Sequence, residues 1–333
     1  MAVAWTGAAS VETDPDGWTT FWRVPRSARA TIPDDRFWQV ASTPAGVCAR
    51  WQVNAAALTI EVRGTPGACP IDVLVDGVLY QRLAVGPSAM LHRVELPVRP
   101  ASVEVWLSQS GVVQVREVGF VDGVAVADLR ERRHWIAYGS SITECAGAAG
   151  PSETWPALVA REFDTRLTCL GFGGQCHIDP LIARSIRDTP ADLISLCLGI
   201  NIYNRSTFAA RTLRPQVAGF IQTIRDGHSD TPIVVITPIA SLDREGVENA
   251  VGLTLRAVRD EIGSAVCALR DLGDDNLHLV DGRSALAEQE TREYLSDGLH
   301  PSAAGYRLMA GRLAPVLGRH LADLNEAPVH ALG

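Results

Sequence analysis

The sequence predicts an α/β protein in two parts: an antiparallel β-sandwich of jelly-roll type, followed by a larger domain with a parallel sheet covered on both faces. Two observations carry this. Up to about residue 125 the apolar residues alternate with period two, in short runs separated by Pro and Gly. Beyond about residue 134, near-continuous apolar runs alternate with helical periods, the pattern of strands buried on both sides.

In the first part, "ALTIEVRG" (57–64), "IDVLVDGVLY" (71–80), "HRVELPV" (92–98), "ASVEVWL" (101–107) and "VVQVREVGFV" (112–121) read as strands. Asp76-Gly77 inside the second is a hairpin signal. No helical period is evident before about residue 125, and 124–134 reads as a charged connector. Strands of the second part are expected at 135–139, 166–171, 191–199, 232–238 and 277–282. Helices are expected at 154–163, 179–187, 208–227, 246–263 and 301–324. The expected domain limits are 1–128 and 129–325, with a short tail at 326–333.

Composition narrows the partners. The formal charge is −8, which argues against a nucleic acid or an anionic membrane, since both favour a basic face. All 30 cationic side chains are Arg, which suggests coding bias rather than function. The N-terminus has neither a charged leader nor an apolar core, so a cytoplasmic location is expected. No apolar stretch is long enough to span a bilayer. The seven cysteines lack CxxC pairing and read as reduced, mostly buried thiols rather than disulfides or a zinc site. Most of the tryptophans of the β-rich part, Trp5, Trp18, Trp22, Trp38, Trp51 and Trp106, are expected in its core, although sugar-stacking is an alternative.

Ligands of an open parallel sheet bind beyond the carboxyl ends of its strands. Those positions supply Ser140 and Ser141 after the first strand and Gly173, Gly174 and His177 after the second. Asn201 follows the third, and Asp297 and His300 lie beyond the fifth. This set suits nucleophilic acyl transfer. A serine needs a base, the base needs a carboxylate that fixes its tautomer, and the tetrahedral intermediate needs donors for its oxyanion. Asp297 can reach back across a turn to the His300 ring, while Pro301 suits the first helical position and would hold His300 at a rigid helix entrance. Candidate donors are a glycine amide after the second strand, the Ser141 N–H and the Asn201 side chain. Blander readings exist for each: Ser141 as a helix cap, Asp297 as a turn former, Asn201 as a partner for a strand-end carbonyl. "GFGGQCH" fails as a dinucleotide fingerprint, and His177 with Asp179 is too thin a set for a metal. Neither a metal nor a cofactor is expected.

"YGSSIT", "GFGGQ", "LGIN" and "DGLHP", in that order, resemble the four sequence blocks of the SGNH, or GDSL-type, esterase and acylhydrolase superfamily. The likeness covers roughly residues 134–320, and "GSSIT" is similar to a bacterial branch with a β-rich N-terminal domain. It implies a three-layer α/β/α flavodoxin-like domain, with Ser141 as nucleophile and Asp297 and His300 completing the triad. Gly174, in preference to Gly173, and Asn201 would join the Ser141 amide in the oxyanion hole. Glu144, His177 and Tyr203 are candidate substrate contacts. Three positions depart from the usual pattern: Ser140 in place of Asp, Ile202 where Asp is common, and Cys145 where glycine is frequent. The expected activity is cleavage of a short acyl ester on a carbohydrate or other polyhydroxylated small molecule. Acyl transfer or thioester cleavage in biosynthesis is the alternative, and a carbohydrate-binding protein with a degenerate hydrolase domain is a third.

Overall fold

The computed structural model describes residues 4–321; the expected tail at 326–333 lies outside them. The strands are β1 (Ser10–Thr13), β2 (Thr19–Trp22), β3 (Cys48–Asn54), β4 (Ala57–Gly64), β5 (Ile71–Val75), β6 (Val78–Leu83), β7 (Met90–Glu95), β8 (Ala101–Trp106), β9 (Val113–Val121) and β10 (Val124–Ala127). They form two antiparallel sheets, ordered β1-β2-β9-β4-β7 and β10-β3-β8-β5-β6. Inward residues such as Val73, Val103, Ile60 and Val94 are fully buried between them. The hairpin at Asp76-Gly77 has both residues at positive φ, 49° and 74°, as a two-residue turn between twisted strands requires.

The second part contains β11 (His134–Gly139), β12 (Arg166–Gly171), β13 (Leu193–Cys197), β14 (Ile233–Ile236) and β15 (Leu277–Val280). They make one parallel sheet in the order β12-β11-β13-β14-β15. The helices are α1 (Asp35–Ala41), α2 (Ser141–Glu144), α3 (Trp155–Glu162), α4 (Pro180–Arg187), α5 (Ile200–Arg205), α6 (Ala210–Arg225), α7 (Leu242–Glu245), α8 (Leu255–Asp271), α9 (Thr291–Tyr294) and α10 (Ala303–Leu321). Because the chain steps from β11 to β12 in one direction and then crosses back to β13, right-handed crossovers send α3 to one face and α4, α6 and α8 to the other. Accordingly α3 packs on α10, and α6 packs on α4 and α8. This is the three-layer α/β/α arrangement with flavodoxin-like strand order. Its switch point, where ligands gather, lies at the carboxyl ends of β11 and β13.

Four expectations need correction. A helix does occur before residue 125: α1 is only seven residues long, too short to show a period, and is fixed by Asp34, whose carboxylate accepts the N–H groups of Arg36 and Phe37. The connector at 124–134 begins with a strand, β10, paired with β3. The helix expected at 246–263 starts at Leu255, capped by Thr254, and runs to Asp271. Pro301 is not at the first helical position; α10 starts at Ala303, Ser302 accepts the Gly305 N–H, and Pro301 instead bridges to Leu295.

The sandwich has a core of its own, but the core of the parallel sheet extends into the first part of the chain. Trp22, Val24, Phe37, Trp38, Ala41 and Cys48 join the hydrophobic cluster of the parallel sheet. Of the tryptophans expected in the sandwich core only Trp51 lies there, with half-buried Trp5 against it; Trp22, Trp38 and Trp106 belong to the cluster of the parallel sheet, and Trp18 is buried outside both. All seven cysteines are free thiols, Cys267 exposed and Cys69 and Cys197 half-buried. Among the described residues, no helix is long and apolar enough to cross a membrane.

Candidate active site

The register of the parallel sheet assembles the site. Gly139 at the end of β11 pairs with Gly171 at the end of β12, so the turns that follow lie side by side. A Cβ on Gly171 would come within 2.3 Å of the Glu144 nitrogen, so only glycine lets the two turns approach this closely. Ser140 caps α2 by accepting the Ile142 N–H at 3.2 Å and is itself buried. Ser141 is therefore the serine left facing outward, half-buried at the first turn. Cys145 closes α2 in the left-handed region at φ 64°, a conformation that glycine adopts with least strain.

His300 and Asp297 arrive from the loop between α9 and α10, closed by the Leu295–Pro301 bridge. The Ser141 Oγ lies 2.9 Å from His300 Nε2, and His300 Nδ1 lies 2.6 Å from Asp297 Oδ2. The other carboxylate oxygen, Oδ1, accepts the backbone N–H groups of Leu299 and His300 at 2.9 and 2.7 Å. Burial tends to raise the Asp297 carboxyl, but the hydrogen bonds from His300 and from the Leu299 amide prevail and hold it at about 2. It is thus ionised across the ordinary pH range, which fixes the proton on Nδ1 and leaves Nε2 as an acceptor toward Ser141.

The three candidate donors have no protein partner among the described residues. Asn201 is buried at the start of α5; its Oδ1 accepts the Cys176 N–H at 3.0 Å, which orients the amide and leaves Nδ2 unpartnered among the described residues. The Ser141 N–H, in the first turn of α2, has no acceptor among them. The Gly173 N–H is committed to Glu144 Oε2 at 3.0 Å, whereas the Gly174 N–H has no acceptor among the described residues. Gly174 reaches this conformation with φ 71°.

The three remaining candidates fall in different places. His177 is half-buried; its Nδ1 and Nε2 meet the Thr207 hydroxyl and the Gly174 carbonyl at 2.8 and 3.2 Å, and burial lowers its pKa. Together with Asp34, Arg36, Gly174, Gln175, Arg205 and Thr207 it lines an open groove of about 520 Å³. Tyr203 is not a surface contact: it is buried, and its hydroxyl donates to the Val247 carbonyl at 2.9 Å. Glu144 is likewise enclosed, 8% exposed, with one oxygen on Gly173 and the other 3.1 Å from Arg23 Nη2. Burial pushes its carboxyl up to about 7, against the Arg23 guanidinium and the Gly173 N–H, which favour the anion. Ile202 is fully buried in the core, so the departure there is met by apolar packing. Among the described residues no group of three or more His, Cys, Asp or Glu side chains is placed to hold a metal ion. Sequence reading missed Arg23, since arginine is seldom fully buried and nothing in "TTFWRVP" marks it as an exception.

Known proteins give a consistent picture of the fold. Among the curated proteins compared, none matches this chain. The structure is similar to a salicylyl-acyltransferase, SsfX3, from a tetracycline biosynthetic pathway, with 29% identity over 96% of both chains and a TM-score of 0.85. It is also similar to a putative GDSL-like lipase from Bacteroides ovatus ATCC 8483, 20% identical over 96% of both chains with a TM-score of 0.79. A family two carbohydrate esterase from Clostridium thermocellum shares the fold at 17% identity, covering 83% of this chain and 92% of that one, with a TM-score of 0.65. The model of the GDSL-like lipase/acylhydrolase family matches residues 137–308, about half the chain. This chain therefore belongs to the GDSL-like lipase/acylhydrolase family, the SGNH group of ester-acting serine hydrolases.

Proposed function

We propose that the protein cleaves carboxylic esters through an acyl-enzyme on Ser141, with His300 as base and Asp297 as its orienting carboxylate. The observation that carries this is the unbroken chain from Ser141 Oγ to His300 Nε2 at 2.9 Å and from His300 Nδ1 to Asp297 at 2.6 Å. In the first half-reaction the Ser141 oxygen attacks the carbonyl carbon and its proton passes to His300 Nε2. The carbonyl oxygen becomes an oxyanion, received by the N–H groups of Ser141 and Gly174 and the Nδ2 of Asn201. Collapse expels the alcohol, which takes the proton from His300. Water repeats the sequence on the acyl-enzyme and releases the acid.

The groove that Gly174 lines is open and rich in polar side chains, which suits a short acyl group on a carbohydrate or another polyhydroxylated small molecule. The fold it shares with carbohydrate esterases is consistent with this. A second reading is transfer of the acyl group to an alcohol in place of water, supported by the 29% identity to a salicylyl-acyltransferase along nearly the whole chain. The same triad serves both. The test is turnover of p-nitrophenyl acetate by wild type and Ser141→Ala, with and without polyol acceptors. Loss of turnover in Ser141→Ala is expected, and near-normal turnover there would refute the assignment. A rate that rises with acceptor, with the acyl group recovered on it, would select transfer over hydrolysis.

A further inference from the structure

We propose that Arg23 and Glu144 are positioning residues for the loop that carries the Gly174 amide, so that the N-terminal part of the chain holds the oxyanion donors in place. This rests on the function proposed above.

Arg23 follows β2, far from the parallel sheet in sequence, yet its side chain is wholly buried against that sheet. Its guanidinium joins three segments. Nη1 donates to the carbonyls of Cys169, at 3.2 Å, and Gly171, at the end of β12. Nη2 donates to the Val40 carbonyl near the end of α1 at 2.7 Å and to Glu144 Oε1 at 3.1 Å. The planar fork also lies over the Phe172 ring, 4.8 Å from its centre. Arg23 therefore holds the last residues of β12 and the Phe172 ring, which lead into Gly173 and Gly174.

Glu144 completes the connection. It ends α2, the short helix that begins with Ser141, and its second oxygen takes the Gly173 N–H at 3.0 Å. A Cβ on Gly173 would lie 2.4 Å from that oxygen and 3.8 Å from the Ser141 Cβ, so carboxylate, loop and serine form one packed unit. With Gly173 tied down, the peptide that follows has little freedom, and the Gly174 N–H stays free for an oxyanion. This is a costly arrangement for stability alone, since a carboxylate enclosed like Glu144 loses most of its hydration. Its geometry serves the loop: one oxygen is held by Arg23 and the other by the Gly173 N–H.

A donor displaced by about 1 Å can cost on the order of a hundredfold in rate. The test is the rate at which a fluorophosphonate labels the full-length chain. In that reaction Ser141 Oγ bonds to phosphorus, fluoride leaves, the serine proton goes to His300, and the phosphoryl oxygen uses the oxyanion donors. Wild type, Glu144→Ala, Glu144→Gln and Arg23→Lys are compared, each with a melting curve. We expect Glu144→Ala to label about 30- to 100-fold more slowly through its limiting rate, with the saturation constant for the probe unchanged. Glu144→Gln should fall between, because its amide oxygen can still accept from Gly173 while its NH₂ opposes Arg23. Lysine at 23 keeps the charge but not the fork, and should also slow labelling. Should Glu144→Ala not fold, the other two variants decide. Folded variants that label at the wild-type rate would overturn this role alone. A folded wild type that does not label would overturn the serine mechanism, and this role with it.

Discussion

Replacing Asp297 with Asn probes the orienting carboxylate while leaving its loop intact. Asparagine keeps an oxygen in place of Oδ1, so the N–H groups of Leu299 and His300, now at 2.9 and 2.7 Å, retain their acceptor. What changes is the partner of His300 Nδ1. An NH₂ replaces the carboxylate oxygen at 2.6 Å and donates to Nδ1, which forces the ring proton onto Nε2, facing Ser141. In that tautomer the ring cannot take the serine proton. The lost charge-assisted bond is a matter of about 1.5–3 kcal/mol, and undoing the wrong tautomer breaks a neutral bond of about 1 kcal/mol. The sum, about 2.5–4 kcal/mol, corresponds to a kcat lowered roughly 10²- to 10³-fold. This is smaller than the roughly 10⁴-fold loss known for a buried orienting Asp, because the Asp297 side chain is 54% exposed and water can partly replace it. The assay is kcat for p-nitrophenyl acetate alongside a thermal melt, with Asp297→Ala as the variant that also loses the turn. A loss of less than about threefold in folded Asp297→Asn would refute the reasoning.

Other outcomes follow from the same structure. Ser140→Ala should cost about 1 kcal/mol through the lost cap of α2 yet leave ester turnover within a few-fold of wild type, as read from a melt and a rate. The Glu144 carboxyl is raised from its ordinary 4.5 to about 7, so its contribution to stability is fully present below 4.5 and is lost as the pH climbs through 7. The difference in denaturant-derived stability between wild type and Glu144→Gln should therefore shift by about 2–3 kcal/mol between pH 4.5 and pH 8, and a flat difference would contradict it. Asp297 has the opposite sign: held at about 2, it stays ionised as the pH falls past 3.8, and kcat should show no loss from its protonation until near pH 2 in a sample that remains folded. A methyl added at Gly318 would lie 2.1 Å from the Phe163 ring, so Gly318→Ala should destabilise by about 1–3 kcal/mol where α10 packs on α3, measured by urea unfolding.

The sequence displayed the parallel sheet well because burial on both faces makes each strand a solid apolar run. The site blocks were legible for a related reason, since their glycines sit where strands end and the Asp-Gly-Leu-His turn leads into the last helix. The first fifty residues were harder to read. Strands β1 and β2 have four residues each, and α1 is under two full turns, too short to establish a period. Their meaning comes from distant contacts: Trp22, Phe37 and Trp38 pack into the second core, and Arg23 lies under a loop about 150 residues away. Glu144 shows the same limit. Expected as a substrate contact, its carboxylate is instead held between Arg23 and the Gly173 N–H, partners that the local sequence does not show.

The most direct measurement of the central claim is the mass of the intact chain after treatment with a fluorophosphonate, followed by mapping of the modified peptide. One adduct is expected, on Ser141, absent in Ser141→Ala and strongly slowed in His300→Ala. A folded wild type that remains unmodified, or one modified at Ser140 or elsewhere, would contradict it.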